Sequence, residues 1–450
     1  MEGTSTHSLA SSNDGHVDKS THAKDTSEEM LEPLTAAEIY YNDNGLQRIR
    51  PYFYEFSSYA KGRWVGRTIY EVFCNEFRGG TPAYYETAIK RGIIRLNNEN
   101  VGPSTIVRNG DLITHFIHRH EPPVTTQPLV VVCETDDGLL VVDKPASIPV
   151  HPGGQFNYNS AIKLLEIKHG YHSLFPINRL DRLTSGLMLI GLNSDVARRL
   201  EHDLLAHRIQ KEYICRVKGV FPGGRIVCDQ PMRVVAHRLG LSCVDCNEGK
   251  PSLTEFELLA VDDDKEHSIV YCRPKTGRTH QIRVHLQFLG FPIANDPLYC
   301  NREVWGDSMG KNGALPETPK KGRKGEGALP FSSSSSPPVD ASIKKPNKMA
   351  GLVKSGYQNV AWAPLVQRME EWLTSQDLVE KLDVLADADQ TRLCGQCAAP
   401  HMADPAPSQL CIWLHAWRYS GPGWSYETKL PGWAQQAAQY ADRIKYKGCE

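Results

Sequence analysis

The stretch INRLDRLTSGLMLI, residues 177–190, joins a charged cluster to an apolar run. The apolar character continues to Leu192 and predicts a buried strand. Asp181 sits just ahead of that strand, between Arg179 and Arg182. Neighbouring cations lower a carboxylate's pKa, so Asp181 is expected to stay ionised. That state suits a nucleophile or an electrostatic stabiliser. It suits a general acid poorly, because an acid needs a raised pKa. A structural Arg–Asp ion pair at the strand entrance accounts for the same residues.

Upstream, PLVVVCETDDGLLVVDKPASIPVHP (128–152) gives two β-rich runs around an Asp-Asp-Gly turn. Downstream, Ser194 is placed to cap a helix, with Val196, Leu200, Leu204 and Ile209 at helical spacing. KEYICRVKG (211–219) alternates like a strand and carries Tyr213, whose ring could stack on a base or serve as a core or rim residue. LTEFELLAV (253–261) and SIVYCRP (268–274) predict two more strands. GRTHQIRVHLQFLG (277–290) predicts a helix ended by Gly290. His280, Arg283 and Gln287 would share its polar face, opposite Ile282, Leu286 and Leu289. Gly277 ahead of this helix leaves backbone N–H groups for an anion, with Arg278, His280 and Arg283 in reach of a phosphate or of Asp181. A solvated polar face explains the same pattern.

The chain has 450 residues, 40% hydrophobic and 23% charged, which excludes a wholly disordered protein. At roughly 150 residues per domain it holds about three domains, or two with unstructured segments. Residues 1–43 read as an acidic disordered tail and 44–126 as a small αβ module. In that module a helical stretch precedes a short strand at Ile93–Leu96, an Asn97-Asn98 turn and a strand after Asn109-Gly110-Asp111, with Lys90, Arg91 and Arg95 beside the helix–strand junction. Residues 127–300 form the main body, and 301–393 read as a largely disordered insertion with a helix near 361–385. A closing segment (394–433), aromatic and strand-like over 410–433, returns to the body, followed by a helix or tail at 434–450.

The net charge of −1 conceals segments of −7 (1–43), +4 (44–126), 0 (127–300), +5 (301–360) and −3 (361–450), so charge neither demands nor excludes nucleic acid. No apolar run approaches the ~18–20 residues of a membrane span, and the N-terminus has no secretory core. Two Lys against nine Asp/Glu in 1–43 argue against a mitochondrial presequence. The expected compartment is therefore cytoplasmic, with KKGRK (320–324) a weak nuclear address or a solvated linker. Twelve Cys spread through such a chain predict reduced thiols. Cys243/Cys246 and Cys394/Cys397, the latter near His401, have zinc-like spacing. Free thiols are the simpler reading, so no metal is expected.

RLDRLTSG (179–186), the KEY strand (211–213) and GRTHQIRVHLQFLGFPIANDPLY (277–299) resemble the three motifs of the RluA-type pseudouridine synthases. VVDKPASIPVHP (141–152) looks like that family's opening Lys-Pro motif, and LHAWRYSGP (414–422) like its closing strand. Residues 44–123 resemble the S4-type RNA-binding module that often precedes it. PYFYEFSSYAKGRWVGRTIYEVFCNEF (51–77) and THFIHRHEPPV (114–124) resemble the eukaryotic branch that modifies tRNA and some mRNA uridines.

The resemblance implies an α+β pseudouridine synthase fold: a mixed, mainly antiparallel central sheet with a catalytic cleft, preceded by a small S4-like αβ domain. It implies an isomerase that breaks the N1–C1′ bond of uridine, turns the base over and rejoins it through C5, with no cofactor. Asp181 would be the catalytic aspartate, Arg283 the arginine paired with it, and Tyr213 the ring stacked on uracil. Arg179 would take the place of the everted nucleotide. Arg182, Arg278 and His280 would face RNA beside the Lys90, Arg91 and Arg95 patch, and His115, His118 and His120 form either a basic RNA-facing strip or plain surface. The partner would be RNA, with tRNA position 32 leading and mRNA second, and the protein a monomer. One departure is Asn178, which stands where the family usually has His before Arg-Leu-Asp. An inactive RNA-binding protein of the same fold, or a nucleoside glycosylase releasing free uracil, are the rival readings.

Overall fold

The computed structural model describes residues 34–77, 80–236, 239–263, 265–315, 365–369, 371, 404–406 and 409–438. Its main sheet has eight strands in one path: β1 (Val130–Glu134), β2 (Leu139–Lys144), β3 (Ser185–Gly191), β4 (Gln210–Lys218), β5 (Arg225–Cys228), β6 (Thr254–Val261), β7 (His267–Pro274) and β8 (Leu414–Gly421). Their spatial order is β5-β6-β7-β4-β8-β3-β2-β1. Every neighbour is antiparallel except β3 and β8, which run parallel with Ser185 opposite His415 and Gly186 opposite Ala416. The sheet is thus mixed and mainly antiparallel. A further strand, β9 (Trp424–Glu427), lies on β8.

Apolar runs build the centre. Leu139–Val142 and Gly186–Gly191 are buried throughout, as strands covered on both faces require. Where β8 slots in beside β3, Gly186 has φ +116, and a Cβ there would lie 2.2 Å from the Ala416 carbonyl oxygen. Glycine is needed for both reasons. The central strand β8 therefore comes from the far end of the sequence, entering between β4 and β3.

Three helices cover this sheet: α1 (Ala161–His169), α2 (Ser194–Leu205) and α3 (Gln281–Leu289). Two expectations shift here. The α2 cap is Asn193, whose side chain accepts from the Asp195 and Val196 amides at 3.1 and 2.9 Å, not Ser194. That helix stops at Leu205, so Ile209 belongs to the approach to β4. Gly290 ends α3 as expected, with φ +88. The helix begins only after His280, however, and its polar residues Gln281, Arg283, His285 and Gln287 are buried, not solvated. Each has partners inside. His285 bonds Thr254 Oγ1 and the Gln230 carbonyl, both at 2.9 Å, and Gln287 donates to the Tyr299 carbonyl at 3.1 Å.

Ahead of the body, Tyr40–Asp43 and Leu46–Ile49 form a hairpin over an Asn44-Gly45 turn with both residues at positive φ. A four-stranded sheet follows in the order Tyr52–Tyr59, Leu112–Arg119, Ile94–Leu96, Glu99–Asn100. Two helices back it. Ile69–Glu76 carries a complete Thr68/Glu71 capping box and Pro82–Lys90 is capped by Thr81. Trp64, Val72, Phe73, Tyr85 and Ile89 form their shared core. Glu121 ties this module to the body, accepting from Tyr52 Oη at 2.7 Å and from the Tyr158 and Asn159 amides at 2.9 Å.

The segment after residue 300 departs from expectation at its start. Residues 301–315 fold, with a short helix at Arg302–Trp305. Val304 and Trp305 are buried against Val284, Tyr299, Leu365 and Met369, and Trp305 Nε1 donates to the Leu298 carbonyl at 2.7 Å. Two large apolar side chains thus hold down what looked like the beginning of a linker. The Ser run, KKGRK and most of 361–385 lie outside the described residues, as do the tail up to residue 33 and everything after residue 438. No helix among the described residues is long and apolar enough to cross a membrane.

Candidate active site

Asp181 lies in the turn that feeds β3, its carbonyl accepting from the Thr184 amide at 3.1 Å. Beneath the turn, the fully buried Lys144 ends β2. Its Nζ donates to the carbonyls of Pro145 (2.8 Å), Ile148 (2.9 Å) and Arg182 (3.4 Å). The ammonium so braces the backbone on both sides of the site. Burial pulls its pKa down to about 7, with Asp181 opposing the shift.

From α3, Arg283 reaches across to Asp181. Its Nη1 donates to Asp181 Oδ2 at 3.0 Å. The other edge of the same guanidinium grips Asp296, with Nε to Oδ2 at 2.6 Å and Nη2 to Oδ1 at 2.9 Å. Asp296 is fixed in turn by the Leu298 and Tyr299 amides at 2.9 and 3.1 Å. The Arg283 guanidinium also lies 4.9 Å from the Tyr299 ring centroid. Two carboxylates drive the Arg283 pKa further up despite its burial. His280, in a left-handed conformation at the head of α3, places Nε2 at 3.6 Å from Asp181 Oδ2 and bonds Tyr299 Oη through Nδ1 at 2.9 Å.

Burial alone would raise the Asp181 pKa, but the net shift is downward, through His280, Arg283 and Arg179. His280 itself is pushed down to about 4 by burial and by Arg283. Near neutral pH it carries no charge, so Arg283 is the cation that keeps Asp181 ionised. The side chain of Asp181 is 27% exposed against 4% for Arg283. The carboxylate therefore faces an opening while its partner is locked in place. Such a group can attack, or stabilise, a developing positive centre and has no proton to give.

Tyr213 on β4 is 8% exposed, and its hydroxyl lies 2.8 Å from that of Tyr419 on β8. Burial, with Asp181 adding to it, pushes the Tyr213 pKa up to about 12. Asn178 Nδ2 donates to Tyr419 Oη at 3.2 Å. Asn178, standing where the resembled family usually has His, therefore bonds β8.

The other expected residues divide. Arg179 is exposed beside Asp181. Arg182 lies over Phe156, its guanidinium 5.4 Å from the ring centroid, and burial together with the Arg283 charge lowers its pKa. The cation in contact with Asp181 comes from α3, not from the flanking sequence. Arg278 points outward, its Nε donating to the Pro251 carbonyl at 3.2 Å. Its own amide is taken by Gln281 Oε1 at 3.0 Å, which fills the expected anion position. Lys90, Arg91 and Arg95 sit together on the N-terminal module. There Lys90 pairs with Glu86 at 2.6 Å, and Arg95 Nε donates to the Gly92 carbonyl at 2.8 Å. His115 is half-buried against Tyr84 Oη at 3.0 Å, and desolvation pushes its pKa down to about 4, so it is neutral and not part of a basic strip. His118 and His120 are lowered too. Cys243 is buried and Cys246 exposed, and no group of three or more His, Cys, Asp or Glu among the described residues could hold a metal. Cys394, Cys397 and His401 lie outside the described residues.

Residues 138–288 match the family model described as RNA pseudouridylate synthase. The mouse (Mus musculus) Pseudouridylate synthase RPUSD2 is 38% identical over 416 residues, covering 89% of this chain and 73% of its own. The chain belongs to the RNA pseudouridine synthases. A second relative, from Saccharomyces cerevisiae, is named tRNA pseudouridine(32) synthase, mitochondrial. It is 36% identical over 87% of this chain and 78% of its own. Among solved structures, Human RNA Pseudouridylate Synthase Domain Containing 4 matches 69% of this chain and 91% of that one, at 18% identity and a TM-score of 0.37. As an RNA pseudouridine synthase the protein is an isomerase acting on RNA uridine. The mitochondrial relative overturns the expected cytoplasmic placement. The acidic head that argued against a presequence was too indirect a signal to fix a compartment.

Three residues that hold the candidate site together, Lys144, Asp296 and Tyr419, lie inside the quoted motifs but carry no role in the sequence reading. Asp296 had a readable cue. An arginine buried on a helix needs more hydrogen-bond acceptors than one partly open carboxylate supplies, and Asn295-Asp296-Pro297 is the nearby acidic turn.

Proposed function

We propose that Asp181 is the catalytic group of this RNA pseudouridine synthase, oriented and kept ionised by Arg283, with Tyr213 stacking on the uracil. The 3.0 Å contact from the locked Arg283 to the half-open carboxylate carries this reading. Uridine would enter everted, Arg179 filling its place in the stack. Asp181 would then act at C1′ as the N1–C1′ bond breaks. The uracil turns over, its C5 bonds to C1′, and loss of the C5 proton restores the ring. Asp181→Ala should abolish pseudouridine formation and leave RNA affinity nearly unchanged, by product analysis of digested RNA and by filter binding. Pseudouridine formed by the purified variant would end the assignment, and free uracil from the wild type would favour a glycosylase.

The substrate we infer is a tRNA anticodon-loop uridine at position 32. Loop nucleotides cost less to evert than paired ones. The relative named for position 32 is 36% identical, and another from Saccharomyces cerevisiae, named for position 31, is 29% identical. Mapping pseudouridines in cells with and without the protein decides among position 32, position 31 and mRNA sites. The mitochondrial relative also supports an organellar tRNA pool, which imaging of the tagged full chain tests.

We further propose that the N-terminal module is S4-like and grips RNA phosphates through Lys90, Arg91 and Arg95, and that the enzyme works as a monomer. Replacing the three with Ala should weaken affinity and reduce the slope of log affinity against log salt by about one per lost contact, while turnover on saturating RNA holds. Unchanged affinity would remove the module from RNA binding. Light scattering of the free enzyme checks the monomer.

A further inference from the structure

Asn178, Tyr419 and Tyr213 form a line of hydrogen bonds that ends at the cleft, and the roles proposed above use only its last member. Tyr419 is 1% exposed and Tyr213 8%, so water does not arbitrate between them. Two buried phenols 2.8 Å apart can bond in either sense, since each has one proton and two lone pairs. Asn178 breaks that symmetry. Its Nδ2 bears only protons and donates to Tyr419 Oη at 3.2 Å. Tyr419 keeps a second lone pair, but accepting from Tyr213 as well would strand its own buried proton. Donating that proton to Tyr213 Oη satisfies it, and the Tyr213 proton is left for the cleft. A histidine in this place would set the direction in one tautomer and lose it in another. An amide does not titrate, so the direction holds at every working pH.

The backbone supports the arrangement. Between Glu212 and Tyr213 the β4–β8 register slips, Glu212 facing Arg418 and Tyr213 facing Ala416. The bulge re-aims side chains on this strand pair, as bulges beside active sites do. The β8 strand that brings Tyr419 arrives from beyond the long 301–393 segment.

We propose that Tyr419, held by Asn178, is a positioning residue that fixes the orientation of the Tyr213 hydroxyl against the everted base. The inference rests on the role proposed for Tyr213, and its test is separable from that role and from the substrate. The full chain carrying 3-fluorotyrosine at position 213 is titrated by fluorine NMR without RNA. Losing the donor in Tyr419→Phe should raise the pH at which residue 213 ionises by about one unit. Asn178→Ala should move it the same way by less, and Asn178→His should restore part of the shift. In single-turnover reactions on an unmodified tRNA transcript with uridine at position 32, Tyr419→Phe should slow pseudouridine formation about tenfold, roughly one hydrogen bond's worth. Its RNA affinity should stay within about twofold of wild type. An unshifted titration in both variants overturns the proposal. So does a shifted titration with an unchanged single-turnover rate. A wild-type enzyme inactive on the transcript contradicts the substrate assignment alone, and the titration then decides.

Discussion

At Arg283 one guanidinium serves two carboxylates, and the division of labour is geometric. Asp296 takes the paired Nε and Nη2 edge with its side chain fully buried, while Asp181 takes the remaining Nη1. The first contact locks the cation and the second lends its charge to a carboxylate that stays partly open. Asp296→Asn keeps the shape but removes a buried charge from a matched pair. Breaking such a pair costs about 3–5 kcal/mol, so the variant should lose thermal stability by calorimetry and most of its activity. Activity close to wild type would mean that Asp181 alone positions Arg283. The sequence showed one half of this arrangement. The RLDRLTSG and HQIRVHL motifs marked Asp181 and Arg283 through family resemblance, and the structure brings the two into contact. The buried half stayed hidden, because a supporting carboxylate only has to arrive in space, and Asp296 is thirteen residues from Arg283 along a turn.

Among the elements, β8 shows how far local reading carries. The aromatic alternation of residues 410–433 predicted a strand, and β8 and β9 are there. Its place between β4 and β3 was not legible, since nothing local says which edge a late strand seeks. The clue is Gly186, whose missing side chain admits the Ala416 carbonyl. Gly186→Ala should expel β8 or shift β3. A Cβ at 2.2 Å from a backbone oxygen, at φ +116, has no rotamer to escape through. We expect poor soluble yield and lost cooperativity in urea unfolding. A folded variant with normal Tm would show that the two strands separate freely. The helix α3 taught the opposite lesson. The 100° spacing groups His280, Arg283 and Gln287 as expected, but they bond Tyr299 and Asp181 inside the protein instead of water.

Over the whole molecule, desolvated imidazoles set an acid limit. His115, His280 and His415 are each pushed down to about 4, burial being the main cause. In the unfolded chain they would titrate near 6.5. As pH falls from about 6.5 towards 4, the unfolded chain takes up protons that the folded one refuses, so their contribution to stability, complete above 6.5, is lost across that window. Asp143, raised to about 6 by burial, works in the opposite sense and offsets one of the three. Denaturation midpoints should therefore decline steadily between pH 6.5 and 4.5, and a flat profile would contradict the burial of these rings. The central position of β8 has a consequence for biosynthesis. At ~5–20 residues per second, the ribosome reaches residue 414 some ~10–45 s after residue 191. Until then the nascent polypeptide holds β3 and β4 with their inner edges bare. Such edges invite pairing with neighbours, so this enzyme should depend on chaperones while it is being translated and become independent of them once the last strand is released.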